Sequence, residues 1–188
     1  FYTTSAHKIC GPTGIGMLYG KEEWLKKLTP YQGGGEMIDQ VTFEKTTYAD
    51  IPHKFEAGTP NIAGAVGFGA AIDYINKIGF DFIESHEKDL LKNATDQLRK
   101  ITGMKIYGDI ENKVPVISFN VDKVHHYDLG TILDKMGIAV RTGQHCCQPI
   151  MDFYGINGTV RASFAFYNTH REVDMFVNGV KKAVKMLL

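Results

Sequence analysis

The sequence predicts a mixed α/β chain in two parts, residues 1–79 forming an α/β segment and residues 80–188 a compact α+β unit. Three observations carry this reading. Apolar alternation of the strand type is interleaved with helical periodicity along the 188 residues. The second half reads helix, strand, helix, strand, strand, helix. Gly79 interrupts a helical pattern between the two parts, which places the boundary there.

Taken in order, Phe1 to Ser5 is strand-like, and an opening on Phe rather than Met leads us to expect sequence upstream of it. Gly11, Gly14, Gly16 and Gly20 punctuate Ile15 to Tyr19, which reads as a strand after a turn. Lys21 to Leu28 is a short helix stopped before Pro30. From Gly33-Gly34-Gly35 to about Lys54 the chain is rich in Thr and Asp, as in a long loop or a hairpin. Asn61 to Ile78 is a helix with Thr59-Pro60-Asn61 as its start and Gly79 as its stop. Its small residues, Ala63, Gly64, Gly67, Gly69 and Ala70, would permit close packing against a sheet. Phe82 to Ile101 is a longer amphipathic helix ended by Gly103. An alternating strand over Val116 to Val121 and a helix from about Tyr127 to Met136 follow. Ile138 to Arg141 and Val160 to Ala165 read as strands, and Glu172 to Leu188 as the closing helix. Trp24 and the phenylalanines at helical spacing are expected in the core.

Composition narrows the function. Hydrophobic residues make up 44% and charged residues 22%, the mix of an ordinary globular protein. The 21 basic and 21 acidic side chains cancel, which argues against binding nucleic acid or anionic lipid through bulk charge. The longest stretch of apolar residues and glycine, Ile62 to Ile72, is 11 residues, where a membrane span takes roughly 20. No secretory signal is visible. Three cysteines, two of them vicinal, make no disulfide framework and fit a reducing compartment, with the cytoplasm as the expected location.

Three clusters carry chemistry. In Ser5-Ala6-His7-Lys8-Ile9-Cys10-Gly11-Pro12, a histidine and a lysine stand at a strand end beside a glycine turn where backbone can approach a ligand. An amine so placed can condense with a carbonyl; a structural turn with a solvated lysine is the alternative. A Walker-type phosphate loop is absent. In Arg141-Thr142-Gly143-Gln144-His145-Cys146-Cys147, a cysteine near Arg and His in a polar loop has the makings of a nucleophile, and one of the two thiols should be exposed. A structural thiol is the rival, and the spacing disfavours a zinc site. Arg161, within an apolar strand, needs a partner, either a ligand carboxylate or an internal acidic residue. His125, His126 and His170 are expected at the surface or satisfied.

Together with Tyr31-Gln32-Gly33-Gly34-Gly35-Glu36-Met37-Ile38, Phe55-Glu56-Ala57-Gly58-Thr59-Pro60-Asn61 and Arg161-Ala162-Ser163-Phe164-Ala165-Phe166-Tyr167-Asn168-Thr169, these clusters resemble the C-terminal half of a SufS-type (type II) cysteine desulfurase of the class V aminotransferase superfamily. The resemblance implies the end of a large fold type I domain, residues 1–79, and a small C-terminal domain, residues 80–188. It implies pyridoxal phosphate as cofactor, with Lys8 as its Schiff-base lysine, Ser5 and His7 at its phosphate, and Thr59 reaching the phosphate across a homodimer interface. Arg161, assisted by Arg141, would bind the substrate carboxylate, and Cys146 would carry the persulfide; Cys147 departs from the small residue many relatives have there. The implied reaction converts L-cysteine to L-alanine and hands sulfur to a SufE- or SufU-like acceptor for iron–sulfur cluster assembly. A selenocysteine lyase acting on L-selenocysteine, or another class V enzyme, is the alternative within the superfamily; a non-catalytic fragment is the alternative outside it. Family members are about twice this length, and the absent half carries the groups that hold the pyridine ring, so the 188 residues alone are expected to be inactive.

Overall fold

All 188 residues are described by the computed structural model, and they divide into two units, Phe1–Gly79 and Phe80–Leu188. The chain is mixed α/β. In the first unit, β1 (Tyr2–Ser5) pairs antiparallel with β2 (Gly16–Tyr19), Ser5 opposite Gly16. Between them the chain makes a 3-10 turn over Ala6–Ile9. The Ala6 N–H donates to the Ile15 carbonyl at 3.1 Å and the Gly11 N–H to the Ala6 carbonyl at 2.8 Å. Glycine is required at position 11, because a Cβ there would lie 2.9 Å from both the Cβ and the oxygen of the fully buried Ala6. α1 (Glu22–Lys27) follows, and the Lys54 ammonium satisfies two of its last carbonyls, Leu25 at 3.1 Å and Lys26 at 3.3 Å. Trp24 is not a core residue as expected; it is 49% exposed, with the Lys27 ammonium over its ring.

Of the loop and hairpin alternatives for residues 33 to 54, the hairpin forms. β3 (Ile38–Val41) pairs with β4 (Thr46–Tyr48), and the Thr42 hydroxyl accepts the Lys45 and Glu44 N–H groups at its tip. α2 (Ile62–Ile78) starts at Asn61, whose side chain accepts the Gly64 N–H at 2.9 Å, and stops at Gly79 with φ 89°. Its buried face, Gly64, Phe68, Ala71 and Ile75, uses small residues for close approach. That approach is to the turn after β1, where Gly67 meets Pro12, rather than to a sheet.

The second unit is a four-stranded antiparallel sheet covered by helices. α3 (Phe80–Leu98) leads to β5 (Met104–Tyr107) and β6 (Val116–Val121). α4 (His126–Lys135), β7 (Arg141–Gly143), α5 (Gln148–Tyr154), β8 (Thr159–Ser163) and α6 (His170–Leu187) complete it. The sheet order is β5-β6-β8-β7. Along β6, Ile117, Phe119 and Val121 are buried while Ser118 and Asn120 point the other way, the period of two that one-sided burial demands. The buried face packs on Leu90, Ala94 and Leu98 of α3, Leu129 and Leu133 of α4, and Val173, Val177 and Val180 of α6. α6 is fixed at its start by a reciprocal cap: the Thr169 hydroxyl accepts the Glu172 N–H, and the Glu172 carboxylate accepts the Thr169 N–H at 2.7 Å.

β5 has no counterpart in the expected order, and one expected strand is displaced. Residues 138–140 lie outside the ladder, and β7 begins at Arg141. The Ile138 N–H bonds to the Leu133 carbonyl after α4, and its side chain packs against Gly179 of α6, so its apolarity serves the core rather than a strand.

Candidate functional site

In the first unit, Ser5, His7 and Lys8 gather at the end of β1 and in the 3-10 turn that follows it. Ser5 stands at the N-cap position of that turn without using its hydroxyl as a cap. His7 and Lys8 are exposed, and none of the three side chains forms a hydrogen bond or ion pair within the chain. Cys10 is exposed and left-handed, with φ 65°. Thr59 stands in a separate loop. The Gly58 N–H donates to the Gly35 carbonyl at 2.9 Å, and Gly34 lies so close to Ala57 that a Cβ would sit 2.8 Å from the alanine's own. The triple-glycine motif and the segment before α2 are therefore joined through their backbones. Ser5, His7, Lys8 and Thr59 do not line the unit's apolar hollow of about 880 Å³, whose walls include Met17, Leu25, Tyr31, Phe55 and Phe68.

The second unit brings Arg141, Arg161 and Cys146 together. Strand register places Ser118, Arg161 and Arg141 in one row across β6, β8 and β7. Two arginines directly opposite one another repel, yet neither forms an ion pair within the chain, and the buried Nε of Arg161 has no hydrogen-bond partner. A buried donor left unmatched beside a second guanidinium is the arrangement that an incoming carboxylate would complete. Cys146 stands on the loop after β7, exposed, with Arg141 Nη2 3.9 Å from its Sγ. The loop holds two consecutive non-glycine residues in the left-handed region, His145 at φ 54° and Cys146 at φ 59°. Cys147 is half-buried, and its thiol donates to the His145 carbonyl at 3.3 Å.

His145 anchors this loop. Its Nε2 lies 3.2 Å from the Thr159 carbonyl and 2.9 Å from the Thr159 hydroxyl on β8. A carbonyl can only accept, so this partner favours the proton on Nε2 and leaves the buried Nδ1 bare. Burial, then the charge of Arg161, holds the His145 ring below the usual histidine range. His126 corrects the expectation of a surface or satisfied histidine: it is 6% exposed, and its buried Nε2 has no partner. Burial first, then His125 and His145, lowers its pKa. Gly158 makes room for this ring, since a Cβ there would lie 2.6 Å from His126 Nε2. His170 is exposed and lies 2.9 Å from the Asp89 carboxylate. Sequence reasoning passed over Thr159, the positioning role of His145 and the helix α5. The last carries a readable signal, Pro149 in its first turn and Gly155 at its end.

No helix is long and apolar enough to cross a membrane. A family model described as aminotransferase class-V matches residues 1–176. The chain is 49% identical over 187 residues to a probable cysteine desulfurase of Xylella fastidiosa, a match covering 100% of this chain and 45% of that protein. It is 48% identical over 188 residues to a cysteine desulfurase of Serratia proteamaculans, covering 100% and 46%. Among solved structures, the cysteine desulfurase CsdA of Escherichia coli in an S-sulfonic acid form superposes with a TM-score of 0.95 at 42% identity, over 100% of this chain and 47% of that one. The apo cysteine desulfurase of Thermococcus onnurineus gives 0.92 at 42% identity, over 98% and 46%. The chain thus spans a little under half the length of the relatives it matches.

Proposed function

The chain belongs to the class-V aminotransferase family, and from that premise we propose that the protein carrying it is a pyridoxal-phosphate-dependent cysteine desulfurase. The observation that carries the reading is the exposed Cys146 held in a left-handed loop, with the Arg141 guanidinium at its sulfur and the unpaired Arg161 in the adjoining strand. Aminotransfer alone has no use for a thiol there; sulfur transfer requires one.

The donor set of the first unit fits the cofactor. A hydroxyl, an imidazole and a primary amine stand in and beside one turn, all without partners in the chain, which suits a phosphate and an aldehyde-bearing ring. Ser5 and His7 would hold the phosphate, with Thr59 contributing from the other protomer of a homodimer, and Lys8 would bond covalently and then move the substrate's α-proton. When bound, pyridoxal phosphate supplies the electron sink that lets the carbon–sulfur bond of cysteine break. Arg161 and Arg141 orient the substrate through its carboxylate. The Cys146 thiolate attacks the substrate sulfur, so that L-alanine leaves and Cys146 retains a persulfide, with Arg141 facing the charge on sulfur. The reading extends to a cytoplasmic location and to delivery of the sulfur to a SufE- or SufU-like acceptor for iron–sulfur cluster assembly.

In the full-length protein, Cys146→Ser should abolish alanine release from L-cysteine while the cofactor absorbance persists. Borohydride reduction followed by peptide mapping should place the pyridoxyl group on Lys8. Label on another lysine, or undiminished alanine release from Cys146→Ser, would overturn the assignment.

A further inference from the structure

The reading above employs one of two adjacent thiols. Cys146 is exposed beside Arg141, whereas Cys147 is half-buried with its thiol directed to the His145 carbonyl. The backbone changes conformation between them, from φ 59° at Cys146 to φ −132° at Cys147. Resting on the desulfurase reading, we propose that Cys147 is a second sulfur-carrying residue, which takes the outer sulfur from a Cys146 persulfide and holds it in a more sheltered place.

The geometry of neighbouring residues separates two reactions of such a pair. Consecutive Cα atoms stand about 3.8 Å apart, closer than the roughly 4.4–6.8 Å that an unstrained disulfide spans. Closing the two thiols into a disulfide is therefore disfavoured. Passing a sulfur atom is less demanding. The attacking and departing sulfurs flank the travelling atom in line, so they remain about two sulfur–sulfur bond lengths apart, roughly 4 Å.

The step balances without an outside reagent. The Cys147 thiolate attacks the outer sulfur of the Cys146 persulfide, and a bond forms between Cys147 Sγ and that sulfur. The bond from that sulfur to Cys146 Sγ breaks, its electron pair staying on Cys146 Sγ, and the proton lost by the Cys147 thiol ends on Cys146. One sulfur–sulfur bond replaces another, and nothing is oxidised or reduced overall. The position of this exchange is then set by surroundings. Partial burial limits attack by solvent thiols at Cys147, and the emptied, exposed Cys146 is free to accept a second sulfur. Each chain would carry two sulfane sulfurs where a single-thiol site carries one.

The test uses the full-length protein with pyridoxal phosphate and L-cysteine and no acceptor protein. Samples are quenched with iodoacetamide at successive times, and the tryptic peptide Thr142–Arg161 is sequenced by tandem mass spectrometry. The added sulfur should appear first on Cys146 and then on Cys147, and sulfane sulfur per chain should reach about twice that of Cys147→Ser. Sulfur confined to Cys146 at every time, with equal loading in both proteins, overturns the relay and leaves the desulfurase reading standing. If the unmodified protein releases no alanine at all, the desulfurase reading fails and the relay fails with it.

Discussion

His145 carries two constraints at once, a left-handed backbone and a buried ring tied to Thr159. A non-glycine residue in that conformation costs on the order of 1–2 kcal/mol, so the loop keeps its shape only while the ring is held. His145→Ala should let the loop relax and misplace Cys146, lowering the rate of alanine formation by at least about tenfold while the cofactor absorbance, which the proposed function assigns to the first unit, stays as it was. Steady-state kinetics read beside the visible spectrum check this, and a spectrum lost together with activity would show general misfolding instead. Acidity offers a second test. His126 and His145 both have lowered pKa values, so between the folded and unfolded values the unfolded chain binds more protons. Their contribution to stability is therefore complete above about pH 6.5 and is lost as the pH falls below it. Urea midpoints should drop from pH 7.5 to 5.5, and His126→Asn should flatten that slope; an unchanged slope would remove His126 from the account. Lys8, Cys146, Arg141 and Arg161 stood out in the sequence as candidates because their chemistry is unusual for their settings. The role of Thr159 and the burial of His126 were not, since both depend on which strands become neighbours.

Caps and register set the site at the level of elements. Thr169→Ala removes the hydroxyl that accepts the Glu172 N–H and should cost about 1 kcal/mol in chemical denaturation. Gly158→Ala should cost more, about 1–3 kcal/mol, because the new methyl would meet His126 Nε2 at 2.6 Å and the Gly143 backbone at 2.9 Å. If Gly158→Ala proves as stable as the parent, the close approach of β7 and the His126 ring is looser than described. The long helices were the readable elements: α2 shows its Asn61 cap and Gly79 stop plainly, and the long periodic runs of α3 and α6 are misjudged only at their ends, whereas the short α5 was passed over. Short strands were harder. β5 offers only four residues, Met104–Tyr107, and Ile138 has a strand-former's side chain that is spent on packing against Gly179. Periodicity cannot tell an apolar residue in a ladder from one in a connection.

For the molecule as a whole, the first unit bears apolar surface out of proportion to its size. Tyr2, Leu18 and Tyr19 of the β1–β2 pair and Phe43 at the hairpin tip are all exposed. Taken with relatives about twice as long, this leads us to expect that the 188 residues expressed alone bind a hydrophobic dye strongly and release alanine from L-cysteine far more slowly than the full-length protein; comparable rates would show that the remainder is dispensable. The fold class was legible because strand and helix signals alternate along the chain. The pairing of Arg141 with Arg161 was not, because it arises from β8 lying between β6 and β7, an order that adjacency in sequence conceals. On the proposed carboxylate-binding role, that pairing would make the second unit a reporter of its own occupancy. A guanidinium nitrogen buried without an acceptor leaves the empty state short of one hydrogen bond, and an anion that supplies it binds the folded chain in preference to the unfolded one. Melting temperature should then climb with the concentration of a small amino-acid carboxylate such as L-alanine, by the equivalent of about 2.7 kcal/mol at a hundredfold excess over Kd, and Arg161→Met should melt at the same temperature whether or not the carboxylate is present.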